Sequence, residues 1–78
     1  MAVEEQVLDV REMPPWERHP RILETFEALG SGQSMLLIND HDPMALHYQF
    51  TAEHPGQFTW EYVQQFHKDW RVRITRVG

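Results

Sequence analysis

"LLINDHDPMALHYQF", Leu36 to Phe50, passes from an apolar run through Asn-Asp-His-Asp-Pro into residues spaced for a helix. Met35 to Ile38 is continuous and apolar, as expected for a strand covered on at least one face. Asp42 stands where a helix N-cap belongs and Pro43 at the first helical position. The spacing therefore predicts a helix whose free first-turn N–H bonds the Asp42 carboxylate. Leu46 and Phe50, one turn apart, mark its buried stripe, and His54-Pro55-Gly56 stops it.

Upstream, Val7-Leu8-Asp9-Val10 is short, apolar and β-branched and reads as a first strand. Met13-Pro14-Pro15-Trp16 cannot continue it, because consecutive prolines remove donors and fix φ. Pro20 is the expected first residue of a helix, where its missing N–H costs nothing. Ile22, Leu23, Phe26 and Leu29 recur at helical spacing, and Gly30-Ser31-Gly32 ends the run. Downstream, Phe58, Trp60 and Tyr62 alternate with polar neighbours, as do Trp70, Val72 and Ile74. Two such runs form an antiparallel hairpin. A turn centred near His67 sets Glu61 opposite Arg73. The order is βαβαββ, an α+β fold: a two-layer α/β sandwich of a four-stranded mixed sheet with two helices on one face. Residues 1–5 are expected to fray and 6–78 to form one domain.

Seventy-eight residues are near the low end of what folds unaided, so nearly every large apolar side chain is needed in the core. The absence of cysteine excludes disulfides, thiolate metal sites and a cysteine nucleophile or persulfide carrier. No apolar run approaches the roughly 20 residues of a membrane span, and the first residues lack the basic start of a signal peptide. A soluble cytoplasmic chain with no membrane role is the expectation. Net charge is −5, which repels phosphate backbones and argues against nucleic acid, although Arg71, Arg73 and Arg76 cluster.

Leu8-Asp9-Val10-Arg11, the proline-containing helix start, Gly32-Gln33-Ser34-Met35-Leu36-Leu37-Ile38 and the Asp-Pro after it resemble the TusA/SirA sulfur carriers. Arg18-His19-Pro20-Arg21-Ile22, Asn39-Asp40-His41-Asp42-Pro43, Gln57-Phe58-Thr59-Trp60-Glu61-Tyr62 and Trp70-Arg71-Val72-Arg73-Ile74 resemble more closely the bacterial and archaeal domain-of-unknown-function family numbered 2249. That family is a TusA-like branch found alone or fused to hemerythrin-like and other redox-associated domains. The resemblance implies a sheet order of 1-2-4-3 with the fourth strand antiparallel. The carriers' Cys-Pro falls on Pro15-Trp16 and their second proline on Arg18, so persulfide transfer does not carry over.

What carries over is a place to look: the start of the first helix and the turn from second strand to second helix, at the carboxyl ends of two strands. Arg18 and His19 are expected to face Asp40, His41 and Asp42 there, with His47 a turn into the second helix. Three readings follow. Trp16, Arg18, His19, Asp40 and His41 form an edge for a partner protein, redox- or metal-related, on a monomer or weak dimer paired through the strand Phe58 to Val63. Alternatively His19, His41, Asp42 and His47 hold a transition metal, since imidazoles with carboxylates suit zinc, copper, nickel or ferrous iron. In the third, His41 is an acid–base catalyst oriented by Asp40 or Asp42. Against all three stands plain helix capping, with His41 on a backbone carbonyl and His47 on an exposed side of the helix. His54 and His67 read as loop residues, Met35 and Met44 as packing, and Trp16 as a lid on the core, with exposure beside His19 the alternative.

Overall fold

A computed structural model describes residues 5–78. Its elements are β1 (Glu5–Asp9), α1 (Pro15–Glu27), β2 (Ser34–Asn39), α2 (Met44–Glu53), β3 (Phe58–Phe66) and β4 (Asp69–Arg76). The sheet order is β1-β2-β4-β3. β1 runs parallel to β2, and β4 is antiparallel to both β2 and β3. This is the expected βαβαββ fold and the strand order implied by the resemblance. Glu5, expected in a frayed tail, opens β1, while residues 1–4 of that tail lie outside the described residues.

Helical and strand periodicities converge on one core. Ile22 and Phe26 from α1, Leu29 just past its end, and Leu46 and Phe50 from α2 pack on Val10, Met35, Leu37, Val72 and Ile74. Phe58, Trp60 and Tyr62 extend this layer along β3, each in edge-to-face contact with the next, an arrangement aromatic quadrupoles favour. Both helices thus lie on one face of the sheet. The other face carries Val7, Leu36, Arg73 and Glu61 in one row across four strands. Glu61 stands opposite Arg73, as expected, and its carboxylate accepts a 3.3 Å bond from that guanidinium, which also donates to Glu5 at 2.6 Å. Past Tyr62 the register slips by one residue, so Val63 is a bulge on an edge strand, a device that blunts edge pairing. The hairpin turns at His67, whose φ is 46°.

Two helix starts differ from expectation. α1 begins at Pro15, five residues before Pro20, with extended Pro14 (ψ 141°) as its N-cap. Two adjacent prolines produce this: the residue before a proline is driven out of the helical region, and the proline itself suits the first turn. Pro20 then lies inside the helix and leaves the Trp16 carbonyl without an amide partner. Both residues are on the exposed side, where water can serve that oxygen. α2 begins at Met44, with buried Pro43 as N-cap and no side-chain cap. Asp42 is not the cap. Its carboxylate accepts a 2.8 Å bond from the Tyr62 hydroxyl on β3.

Candidate functional site

β1 and β2, being parallel, end side by side, and the chain leaves both ends towards a helix. Arg18, one turn into α1, reaches back between them. Its Nε donates to the Met13 carbonyl at 2.9 Å and its Nη2 to the Arg11 carbonyl at 3.0 Å. Nη1 donates to Asn39 Oδ1 at 3.1 Å and Asp40 Oδ1 at 2.9 Å. One guanidinium therefore pins the β1–α1 loop to the β2–α2 turn, and its side chain is only 11% exposed. Such a planar fork with five fixed donors is what arginine offers and lysine does not.

Asn39 ends the apolar run of β2 and is buried; its Oδ1 also accepts the Asp40 amide at 2.9 Å. Asp40 Oδ1 is shared between Arg18 and His41 Nδ1, the latter at 2.6 Å. Bonds from Arg18 first and His41 second pull the Asp40 carboxyl down to about 2. His41 Nδ1 faces a carboxylate and so carries a proton, which leaves Nε2 as the free nitrogen. On α1, His19 is held through Nδ1 by Gln49 Oε1 of α2 at 3.1 Å. Pro15, Arg18, His19, Asn39, Asp40 and His41 line a half-open pocket of about 290 Å³. A larger hollow, about 370 Å³, opens at the opposite end of β1 and β2, but Glu5, its one ionisable residue, is already committed to Arg73.

Arg18, His19, Asp40 and His41 come together as expected. Asp42 and His47 do not join them. Asp42 faces β3, where burial and the Asp42 carboxylate push the Tyr62 phenol up while the Trp60 indole pulls the other way. His47, expected on an exposed side of α2, stacks on Trp60 with ring centres 4.6 Å apart and planes 17° apart. Among the described residues no three His, Asp or Glu side chains are placed to hold a metal ion. Trp16 does not lid the core: it is 76% exposed at the start of α1. Pro15 and Asn39 were missed as pocket residues. A polar residue closing an apolar strand was the available signal for Asn39.

Chemically, the pocket offers one oriented imidazole, a second tethered one, and a carboxylate whose charge is already shared. No hydroxyl or thiol nucleophile lines it; Ser31 and Ser34, the chain's two serines, flank the start of β2 at the far end. The Asp40 charge has a measurable consequence. A carboxyl whose folded pKa is depressed stabilises above its unfolded value near 3.8, and the contribution is lost as pH falls towards 2. The side chain is a third exposed, so screening reduces the effect to about 1 kcal/mol. Asp40→Asn is expected to flatten the acid limb of stability between about pH 4 and 2 in urea titrations. An acid limb parallel to that of the native chain would show that the Asp40 pair contributes nothing.

The chain is thus a two-layer α+β domain with a braced polar pocket where two parallel strands end. Residues 7–76 match the family described as "Uncharacterized conserved protein (DUF2249)", and the chain belongs to that family. No match was found among curated proteins or among solved structures. Among the described residues no helix is long and apolar enough to cross a membrane.

Proposed function

We propose that this domain is a non-catalytic cytoplasmic binding module that docks a redox- or metal-related protein at the edge formed by Trp16, Arg18, His19, Asp40 and His41. The carrying observation is Trp16: a large aromatic left in water on the first turn of a helix whose next turn is braced by Arg18. Burying about 150 Å² of such a ring is worth roughly 3–4 kcal/mol. A preorganised frame lowers the ordering cost of binding, and tryptophan and arginine dominate interface hot spots. The absence of a nucleophile in the pocket, and the Pro15-Trp16 pair where the sulfur carriers have Cys-Pro, favour docking over group transfer.

The test is to trap the partner in cells through a photoreactive residue at position 16, then purify and titrate it. Trp16→Ala is expected to weaken that complex roughly 30-fold or more while leaving thermal stability unchanged, because the ring touches little of its own domain. Equal affinity for the variant would overturn the reading.

A second reading is favoured by the two imidazoles on one pocket, each held through Nδ1 with Nε2 to spare. A carboxylate behind a histidine is a familiar way to orient a metal ligand. In this reading His19 and His41 take zinc, copper, nickel or ferrous iron, with remaining ligands from water or a docked protein. Metal titration followed by ¹H–¹⁵N NMR is expected to give saturable shifts at His19 and His41 that vanish in His41→Ala. Weak changes spread over all five histidines would reject it.

A further inference from the structure

Of the five imidazoles in the chain, three are engaged away from the pocket. His47 stacks on Trp60, and His67 makes the hairpin turn. His54 packs on the rings of Phe26 and Phe50 with its Nε2 3.4 Å from Glu27. His19 and His41 remain, and both line the hollow of about 290 Å³ where β1 and β2 end. Each turns Nδ1 to an oxygen acceptor, Gln49 Oε1 at 3.1 Å and Asp40 Oδ1 at 2.6 Å. As a metal ligand each ring is neutral, with the proton on Nδ1 and the lone pair on Nε2. The two acceptors come from different elements: α2 behind His19, and the turn braced by Arg18 behind His41. Among the described residues no third His, Asp or Glu completes a ligand set with them.

We infer that this pair of Nε2 atoms is a two-coordinate site for copper(I), with Gln49 as the residue that positions His19. The inference rests on the metal reading of the pocket and names the ion and its valence. Ligand number selects it. Zinc in protein sites takes four ligands, copper(II) and nickel(II) a tetragonal set, and ferrous iron at least a facial three. Copper(I) is satisfied by two nitrogen donors in line, so nothing further is required of the protein. Charge selects it as well. Around the pocket Arg18 offsets Asp40, and the imidazoles are neutral donors, so no net negative charge is left to balance a divalent ion. The cost of taking an ion out of water rises with the square of its charge, which favours the singly charged ion. His41, its side chain 65% exposed, gives the ion a way in from solvent.

The test is an anaerobic titration of the full chain with copper(I), kept reduced by ascorbate, in competition with the chelator bicinchoninate. Silver(I), with the same charge and coordination preference, and zinc(II) are run in parallel. One equivalent of copper(I) or silver(I) is expected to bind, shifting the His19 and His41 ring signals alone in NMR spectra. The X-ray absorption edge is expected to be that of a linear two-nitrogen site. Zinc is expected to bind those rings about 100-fold more weakly, having two ligands where it takes four. His41→Ala, at an exposed position, is expected to abolish competition with the chelator while the domain stays folded. Gln49→Leu is expected to weaken binding about tenfold and Gln49→Glu to restore it, a rescue that a merely structural Gln49 would not give. Zinc held at the same two rings as tightly as copper(I) would overturn the inference and leave the metal reading standing. No metal at those rings would overturn both. Copper(I) spread over all five histidines, or held by the methionines, would overturn the site.

Discussion

Arg18→Met is expected to cost about 3 kcal/mol of stability, although the substitution sits at the surface edge of a helix. The side chain is only 11% exposed, and its loss strips donors from Asp40, Asn39 and the carbonyls of Arg11 and Met13. Four charge-assisted bonds are lost at once, although Asn39 keeps the Asp40 amide and Asp40 keeps His41. For a domain of this size that corresponds to a fall in Tm of roughly 12–24 °C. The Asp40 carboxyl should also rise, held down only by the remaining His41 bond, so the acid limb of stability weakens together with the midpoint. Arg71→Met is the comparison. Arg71 bonds Asp69 two residues away at 2.9 Å, both a third exposed, and a solvated pair of this kind contributes under about 1 kcal/mol. Urea unfolding of the two variants separates the cases. Similar small losses in both would mean that the bonds around Arg18 are decoration and the pocket is not braced.

Phe26→Ala is the larger change. The ring is fully buried, 5.0 Å from Phe50 and 6.4 Å from Phe58, with the Arg76 guanidinium 5.7 Å above it. Removing a buried phenylalanine costs about 3–5 kcal/mol, against a total of roughly 4–12 kcal/mol for a chain of this length. The variant is expected to be largely unfolded at physiological temperature, seen as loss of the far-ultraviolet dichroism and a red shift of tryptophan emission. Phe66→Ala, at a position 63% exposed near the hairpin turn, should shift stability by no more than about 0.5 kcal/mol. Comparable losses would place the core elsewhere than between the helices and the sheet.

These expectations depend on features of unequal legibility. Leu46 and Phe50 could be assigned to the core from their spacing alone, as could Ile22, Phe26 and Leu29, because a period of 3.6 leaves one face apolar wherever the helix lies. The opposition of Glu61 and Arg73 followed from counting outward from a turn, since period-2 strands admit few registers. The start of α1 was misjudged because Pro15 and Pro20 both satisfy the local rule for a first helical residue. What separates them is the extended backbone at Pro14 and the reach of Arg18, a contact spanning 21 residues to Asn39.

The pocket residues divide the same way. Arg18, His19, Asp40 and His41 were placed together because the family resemblance implied neighbouring strands 1 and 2, and strands that end side by side bring their following turns together. Asp42 and His47 were assigned to the same cluster by proximity in sequence, and both face β3 instead. Trp16 was expected inside on hydrophobicity, yet Ile22, Phe26, Leu46 and Phe50 fill the core from the two helices, and Trp16 on the first turn of α1 stays exposed.

The order of elements, the β3–β4 hairpin, the buried stripes and the absence of cysteine were therefore written in the sequence, because each depends on periodicity or on which atoms exist, whereas the order β1-β2-β4-β3 came only with the family resemblance. Tertiary structure alone decided which partner each polar side chain takes. Asp42 had a choice between the amides of its own helix and a phenol 20 residues away, and packing of β3 against α2 settled it. Bond energies at the two sites are alike, so only geometry distinguishes them, and geometry at long range is a property of the folded chain.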